Sequence, residues 1–489
     1  MRFSRTLAVL AGLSPLVACA SSLNGAELSG YWAIPFAGIL LSLALCPMVV
    51  PNFWHHHYGK VAVCWALVCA VPLFCVFGSD IAVTEIAHTL LADYIPFLLF
   101  VGALYIIAGG IHIRSTFAGR PVFNTCFLAV GAVLANLMGT TGAAMLLIRP
   151  LIHANLGRRH ATHTFIFFIF IVANIGGSLT PLGDPPLFLG FLRGVSFFWT
   201  AEHLFLPWIT TVGILLAIYF VIDECCYRRE KAEHTFVAHP EKQIPFQIEG
   251  SINFLYLAGM VGATLMSGVW QPGIEFTVLG VHLPLQGLVR DACFVTLALL
   301  SYFTTQEQVH AVNHFNFEPI KEIAKLFFGI FVCIVPVLEM LKAGPDGVFA
   351  PLVSLVTTAE GAHNNGMYFW MTGSLSAFLD NAPTYLAFFN LAGGDPVTLM
   401  TTHAKTLMAI SMGAVFMGAL SYIGNAPNLM TVSIVRQRGI KMPSFFGYMV
   451  WSVGILCPTF ALVVWFFGRA GARRSFCLRS VLEKGGNYE

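Results

Sequence analysis

Long apolar runs separated by short polar breaks dominate the chain. A helix crossing hydrocarbon needs about 20 consecutive apolar residues. Runs of that kind cover 31–51, 61–77, 94–113, 163–179, 203–222, 252–270, 288–303, 323–341, 406–423 and 445–467, which predicts ten spanning helices. Two further apolar stretches, 122–152 and 368–391, are too long for one helix and are interrupted near their centres by Gly, Asn, Pro or Thr. Each reads as a re-entrant helical hairpin, because non-helical backbone is tolerated at membrane depth where it lines a cavity. The expected fold is therefore an all-α polytopic membrane protein of ten spans plus two hairpins.

Composition agrees. Of 489 residues, 57% are hydrophobic and 10% are charged, whereas soluble chains carry about 25% charged residues. Mean hydropathy is +0.76. This excludes a cytosolic enzyme. The formal charge of +2 excludes an electrostatic nucleic-acid binder, and 43 Phe exclude a disordered chain. Most of the cysteines, such as Cys46, Cys64, Cys69, Cys75, Cys333 and Cys457, sit in apolar runs as small hydrophobes. The adjacent Cys225 and Cys226 do not have zinc spacing. Neither a disulfide framework nor a metal site is expected of them, and no resident cofactor is expected.

At the N-terminus, Arg2 and Arg5 precede a short apolar stretch, 7–20, ending in small residues. Residues 1–22 have the layout of a signal peptide or signal anchor. The box Leu16-Val17-Ala18-Cys19 resembles a lipoprotein cleavage site and reads as a chance match. Lys and Arg set sidedness. Arg114 and Arg120 before the first hairpin, and Arg149, Arg158 and Arg159 after it, place both its ends in the cytoplasm. Lys342 and Lys405 flank the second hairpin, which should open outward. Arg228, Arg229, Lys231, Lys321, Lys325, Arg436, Arg438 and Lys441 then fall inside. The tail 469–489, with Arg469, Arg473, Arg474 and Arg479, falls outside by this count, against the rule.

The interruptions recur. The first half has Asn136-Leu137-Met138-Gly139-Thr140-Thr141-Gly142 and then Gly176-Gly177-Ser178-Leu179-Thr180-Pro181-Leu182-Gly183-Asp184-Pro185-Pro186. The second half has Phe378-Leu379-Asp380-Asn381-Ala382-Pro383-Thr384 and then Ser421-Tyr422-Ile423-Gly424-Asn425-Ala426-Pro427-Asn428. Gly139 to Gly183 is 44 positions, and Asn381 to Gly424 is 43. Each half reads as three spans, a hairpin, a broken span and a final span. Five crossings is odd, so the second half (251–468) is inverted relative to the first (31–222), with 223–250 as a cytoplasmic linker. Paired interruptions in inverted halves point to a transporter binding site.

Unwound backbone in hydrocarbon needs polar partners, and two carboxylates sit at these breaks. A charge at the bilayer centre costs at least about 2.5–3.5 kcal/mol, which makes Asp184 and Asp380 functional candidates; the alternative is that both merely cap half-helices. Asp oxygens, Asn amide oxygens, Thr hydroxyls and free carbonyls are hard ligands that suit a small alkali cation. A carboxylate can take a proton instead, and that competition is the simplest basis for sodium/proton exchange. No Lys or Arg sits at the tips, which leans toward cation handling; Arg193 follows the first break by nine residues. Other polar groups carry less. His55-His56-His57 reads as an interfacial belt in a short loop, Glu339 as a snorkelling acid, and His363, Asn364 and Asn365 as a solvated loop before the second hairpin.

These motifs resemble the ion transporter superfamily, and within it the bacterial branch of D-type sodium:proton antiporters and citrate-transporter-like proteins. The resemblance rests on 376–386, 389–395, 421–429 and 53–60 and spans nearly the whole chain after about residue 30. It implies a two-fold inverted-repeat fold, a homodimer, an elevator-type motion and a place in the bacterial inner membrane. Position by position it implies sodium- or substrate-binding residues Asn136, Thr140 and Thr141 in the first hairpin and Asp380, Asn381 and Thr384 in the second. The unwound helices would contribute Thr180, Gly183, Asp184, Gly424, Asn425 and Asn428. Sodium would lie at Asp380, Asn381 and Asp184.

Two departures favour cation/proton exchange over citrate uptake. The hairpin tips lack the Ser-Asn-Thr triplets of carboxylate carriers, and Asp184 stands where those carriers have a neutral residue. The leading expectation is a secondary sodium/proton antiporter, with sodium- or proton-coupled uptake of citrate or a related organic anion as the alternative. An intramembrane enzyme would need a nucleophile/base or metal constellation such as HExxH, and none is present.

Overall fold

A computed structural model describes residues 23–114, 118–233, 247–358 and 360–485. The expected leader at 1–22 and residues 234–246 of the expected linker lie outside them. The helices in chain order are α1 (Ile34–Val49), α2 (Pro51–Phe77), α3 (Ser79–His88), α4 (Ile95–Gly109), α5 (Pro121–Asn155), α6 (Thr162–Ile171), α7 (Pro185–Leu192), α8 (Trp199–Ala232), α9 (Ile252–Val269), α10 (Leu285–Thr304), α11 (Glu307–Val312), α12 (Glu318–Lys342), α13 (Ala350–Val356), α14 (Asn365–Ser376), α15 (Asn381–Leu391), α16 (Pro396–Met400), α17 (Ala404–Phe416), α18 (Ala426–Gln437) and α19 (Phe445–Gly485). Among the described residues, nine helical segments are long and apolar enough to cross a membrane. The protein is a mostly helical, multi-pass membrane protein.

Eight of the ten expected spans coincide with these segments. The other two are short apolar helices, Thr162–Ser178 and Ala404–Leu420, each ending in a 3-10 turn. In the first, Asn174 leaves helical geometry (φ −141°, ψ −86°) and stops α6. The ninth long segment is α5, the stretch expected as a hairpin; its one non-helical residue is Gly139 (φ 78°, ψ 153°).

Three local expectations need correction. His55, His56 and His57 lie inside α2, not in a loop, because Pro51 starts a helix and neither Gly nor Pro interrupts the turns that hold them. Residues 79–93, left outside the apolar runs, form α3 and, with Tyr94, a π turn (Thr89–Tyr94) leading directly into α4. Asp223–Ala232 is not linker but the last turns of α8. The fold is also not wholly α. Strand His112–Arg114 pairs antiparallel with Gln247–Glu249, and Glu275–Val278 pairs with Val281–Pro284 across a Leu279-Gly280 turn with positive φ at both residues.

Helix α12 forms the central wall. It is buried over most of its length and packs on α1, α2 and α15. Helix α6 is buried on every face from His163 to Ile171, as expected of a segment that is apolar all round.

A buried ionic cluster ties α5, α6 and α8 together. Arg158 Nη1 lies 2.6 Å from Asp223 Oδ1, and its Nε lies 3.0 Å from Glu230 Oε2. His163 Nε2 is 2.8 Å from Asp223 Oδ1, and Tyr219 and Asn124 donate to Oδ2 at 3.0 and 3.2 Å. All three charged side chains of the pairs are out of contact with solvent. A buried charge is tolerated only when fully paired, and removing one partner costs about 3–5 kcal/mol. Asp223→Asn should therefore lower the melting temperature in detergent sharply. Arg228→Gln, which breaks the exposed Arg228–Glu224 pair, should leave it unchanged.

Candidate ion and substrate site

Four chain breaks meet at one point. The first is Gly139 in α5. The second is the stretch between the 3-10 turn Ile175–Ser178 and α7. The third is the α14–α15 junction at Asp380, and the fourth lies between the 3-10 turn Met417–Leu420 and α18.

The breaks form two matched pairs. Gly139 has φ 78°, ψ 153°, and Asp380 has φ 58°, ψ 138°. Asp184, heading α7, has φ −146°, ψ 144°, and Asn425, heading α18, has φ −154°, ψ 140°. Both helices carry Pro in the first turn. The structural partner of Gly139 is thus Asp380, not Asn381, and the spacing from tip to following Gly is 44 positions in both halves. The two broken helices each also hold a glycine against a glycine six residues upstream. A Cβ on Gly183 would collide with the Gly177 carbonyl, and one on Gly424 would stand 2.6 Å from the Gly418 carbonyl oxygen. The Gly183 carbonyl in turn accepts from Thr140 N at 2.8 Å.

Asp184 is the hub. Its side chain is 1% exposed. Oδ1 accepts from Thr140 Oγ1 at 2.7 Å and from Asn425 Nδ2 at 3.1 Å. Oδ2 accepts from Asn381 Nδ2. One carboxylate therefore receives donors from the three other breaks. It does not cap α7, although it occupies the N-cap position. The Asn381 amide must turn its NH₂ toward Asp184, which leaves its Oδ1 buried and without a protein partner.

Asp380 behaves differently. Its Oδ1 accepts from Ala382 N at 3.2 Å, so it does cap α15. Its carboxylate also edges a cavity of about 430 Å³ together with Thr141 and Asn425. Trp54, Tyr105 and Glu322 line the same cavity, and none of its described lining residues is Lys or Arg. Asp184 is not among the described lining residues and connects to the cavity through Asn425, which donates to it. Asp380 holds a positive φ without being Gly, a conformation that costs of order 1–3 kcal/mol and clusters at functional sites.

The remaining expected site residues brace the breaks instead of presenting free ligand atoms. Asn136 Oδ1 accepts from Leu179 N at 2.8 Å, and Thr180 Oγ1 donates to Asn136 O at 2.5 Å. Thr384 Oγ1 donates to Asp380 O at 2.8 Å. Asn428 donates to the Gly418 and Ser421 carbonyls, both at 2.9 Å. Each satisfies a polar backbone group that would otherwise lack a partner at this depth. One bracing residue was missed. Asn174 donates to Asn428 Oδ1 at 2.7 Å and accepts from Asn425 at 3.2 Å, linking the two broken helices. Its signal was a lone Asn closing a run of aromatic and aliphatic residues. Glu322, also missed, is a lone acid on the cavity-facing side of α12.

Gly183→Ala would force the two glycine backbones apart and displace Asp184. We expect loss of transport with a lowered melting temperature. Gly213→Ala, where a Cβ would meet open space, should change neither.

No curated protein matches the chain. Residues 25–468, nearly the whole chain, match the family CitMHS_2, described as "Putative citrate transport". With that match spanning the apolar helices and all four breaks, the chain belongs to this citrate-transporter-like family of membrane transport proteins.

Proposed function

We propose that the protein is a secondary active transporter of the bacterial inner membrane that couples a small cation, sodium or a proton, to movement of citrate or a related organic anion. The observation that carries this reading is Asp184, a buried carboxylate gripped by donors from three other breaks beside a cavity edged by a second carboxylate. Family membership supports citrate as cargo. The cavity volume lies in the range of small-molecule sites, about 300–1,000 Å³.

The coupling follows from charge. Two like charges 4 Å apart repel by about 4 kcal/mol at an effective dielectric near 20. A polyanion entering a cavity whose described lining holds Asp380 and no Lys or Arg must therefore bring or meet positive charge. The unpartnered Asn381 Oδ1, the Asp184 and Asp380 oxygens and the Thr140 hydroxyl are hard donors suited to sodium. A proton on either acid would serve the same end.

The matched breaks support two inverted repeats with re-entrant hairpins at 121–155 and 365–391. They also support an elevator motion in which hairpins and broken helices move against α12. The cavity extends past Glu322 and Ser433, near Lys321 and Arg436, so it faces the side that the Lys/Arg rule assigns to the cytoplasm.

A second reading, sodium/proton exchange without organic cargo, is favoured by the acids and by hairpin tips unlike those of carboxylate carriers. Proteoliposomes separate the two. Labelled citrate accumulating under an inward sodium or proton gradient supports the first. A sodium-evoked internal pH change with no citrate uptake supports the second. The absence of both responses would overturn coupling at this site.

Asp380→Asn should abolish transport while the protein still folds, since Asn tolerates positive φ and caps helices. Asn381→Ala removes a hydrogen bond to a charged group, worth about 1.5–3 kcal/mol. It should raise half-saturating sodium about tenfold or more in the uptake assay.

A further inference from the structure

A second cavity, of about 300 Å³, lies apart from the transport site where α5 and α18 end. Arg114, Arg149 and Arg438 line it, with His112 and His153, and none of its described lining residues is acidic. These side chains come from the strand after α4, from α5 and from the turn after α18. Arg149 is partly buried and pinned by donating to Asn313 O at 2.6 Å, and Arg438 lies close enough to repel it. His112 Nδ1 lies 3.0 Å from Asn313 Oδ1. Among the described residues the one carboxylate paired with these arginines is Glu249, 3.4 Å from Arg114 on an exposed edge. Arg149 and Arg438 have no described carboxylate partner.

Three guanidinium groups gathered in a half-enclosed space repel one another, and an anion among them would reverse the sign of that interaction. Planar guanidinium forks match tetrahedral oxyanions in pairs of hydrogen bonds. The cavity also sits on the Lys/Arg-rich face, where anionic headgroups accumulate against basic pockets between helices. Leu156 and Val312, both exposed, give its rim an apolar edge.

We propose that this cavity binds a phosphate-bearing anion, either the headgroup phosphate of an anionic membrane lipid or free inorganic phosphate. Bound there, the anion ties α5, which carries the Gly139 break, to the turn after α18 and to the Asn313 loop. The proposal is independent of which cargo the transport site carries.

The test uses the purified full-length chain in detergent, with melting followed by tryptophan fluorescence. Phosphatidylglycerol, phosphatidylcholine, inorganic phosphate and citrate are titrated separately. We expect a rise of about 2–4 °C at saturation, at least halved in Arg438→Gln and lost in Arg149→Gln. Arg438 is exposed, so its variant should fold. A rise with phosphatidylglycerol but not with inorganic phosphate identifies the lipid; a rise with inorganic phosphate alone or with both identifies the phosphate group itself as sufficient. The proposal is overturned by no rise with either, by an equal rise with phosphatidylcholine, by a larger Arg438-dependent rise with citrate, or by rises undiminished in both variants.

Discussion

An ionised carboxylate removed from water is costly by several kcal/mol unless donors replace the lost solvent. Asp184 meets that demand with the hydroxyl of Thr140 and the amides of Asn381 and Asn425. Because each donor belongs to a different break in the chain, satisfying one side chain fixes the relative positions of four irregular segments. Their backbone groups need partners for the same reason. Thr180, Thr384, Asn136, Asn428 and Asn174 supply them, so buried polar side chains gather where helical order fails.

The two halves repeat geometry without repeating chemistry. Gly139 and Asp380 share a tip conformation, and Asp184 and Asn425 share the position that heads a broken helix. Each half therefore contributes one acid, but at non-equivalent places: at the helix start in the first half and at the hairpin tip in the second. The result is one carboxylate locked in a hydrogen-bond junction and another at the cavity edge. That asymmetry suits a site in which one acid organises the structure and the other meets incoming charge.

Two other charged assemblies frame this centre. The Arg158–Asp223–Glu230 cluster clamps α5 to α8 with every charge paired. The arginines at the end of α5 and after α18 are gathered without such pairing. Burial requires balance in the first case, and proximity to the membrane face permits imbalance in the second.

The membrane class, most of the spans and all four breaks could be read from the chain, because apolar run length and clustered Gly, Pro, Asn and Thr are local properties. The family resemblance was readable for the same reason, and it named Asp184, Asp380, Asn381, Thr140 and Asn425 together. What each of these does was not readable. A sequence cannot say whether an acid at an N-cap position turns inward to a junction, as Asp184 does, or back to its own helix, as Asp380 does. Nor could spacing reveal that Asp223 belongs to a buried cluster with Arg158, since the partners lie 65 positions apart. Hydrogen-bond direction and charge pairing depend on distant segments arriving at the same place, and that is a property of packing in three dimensions.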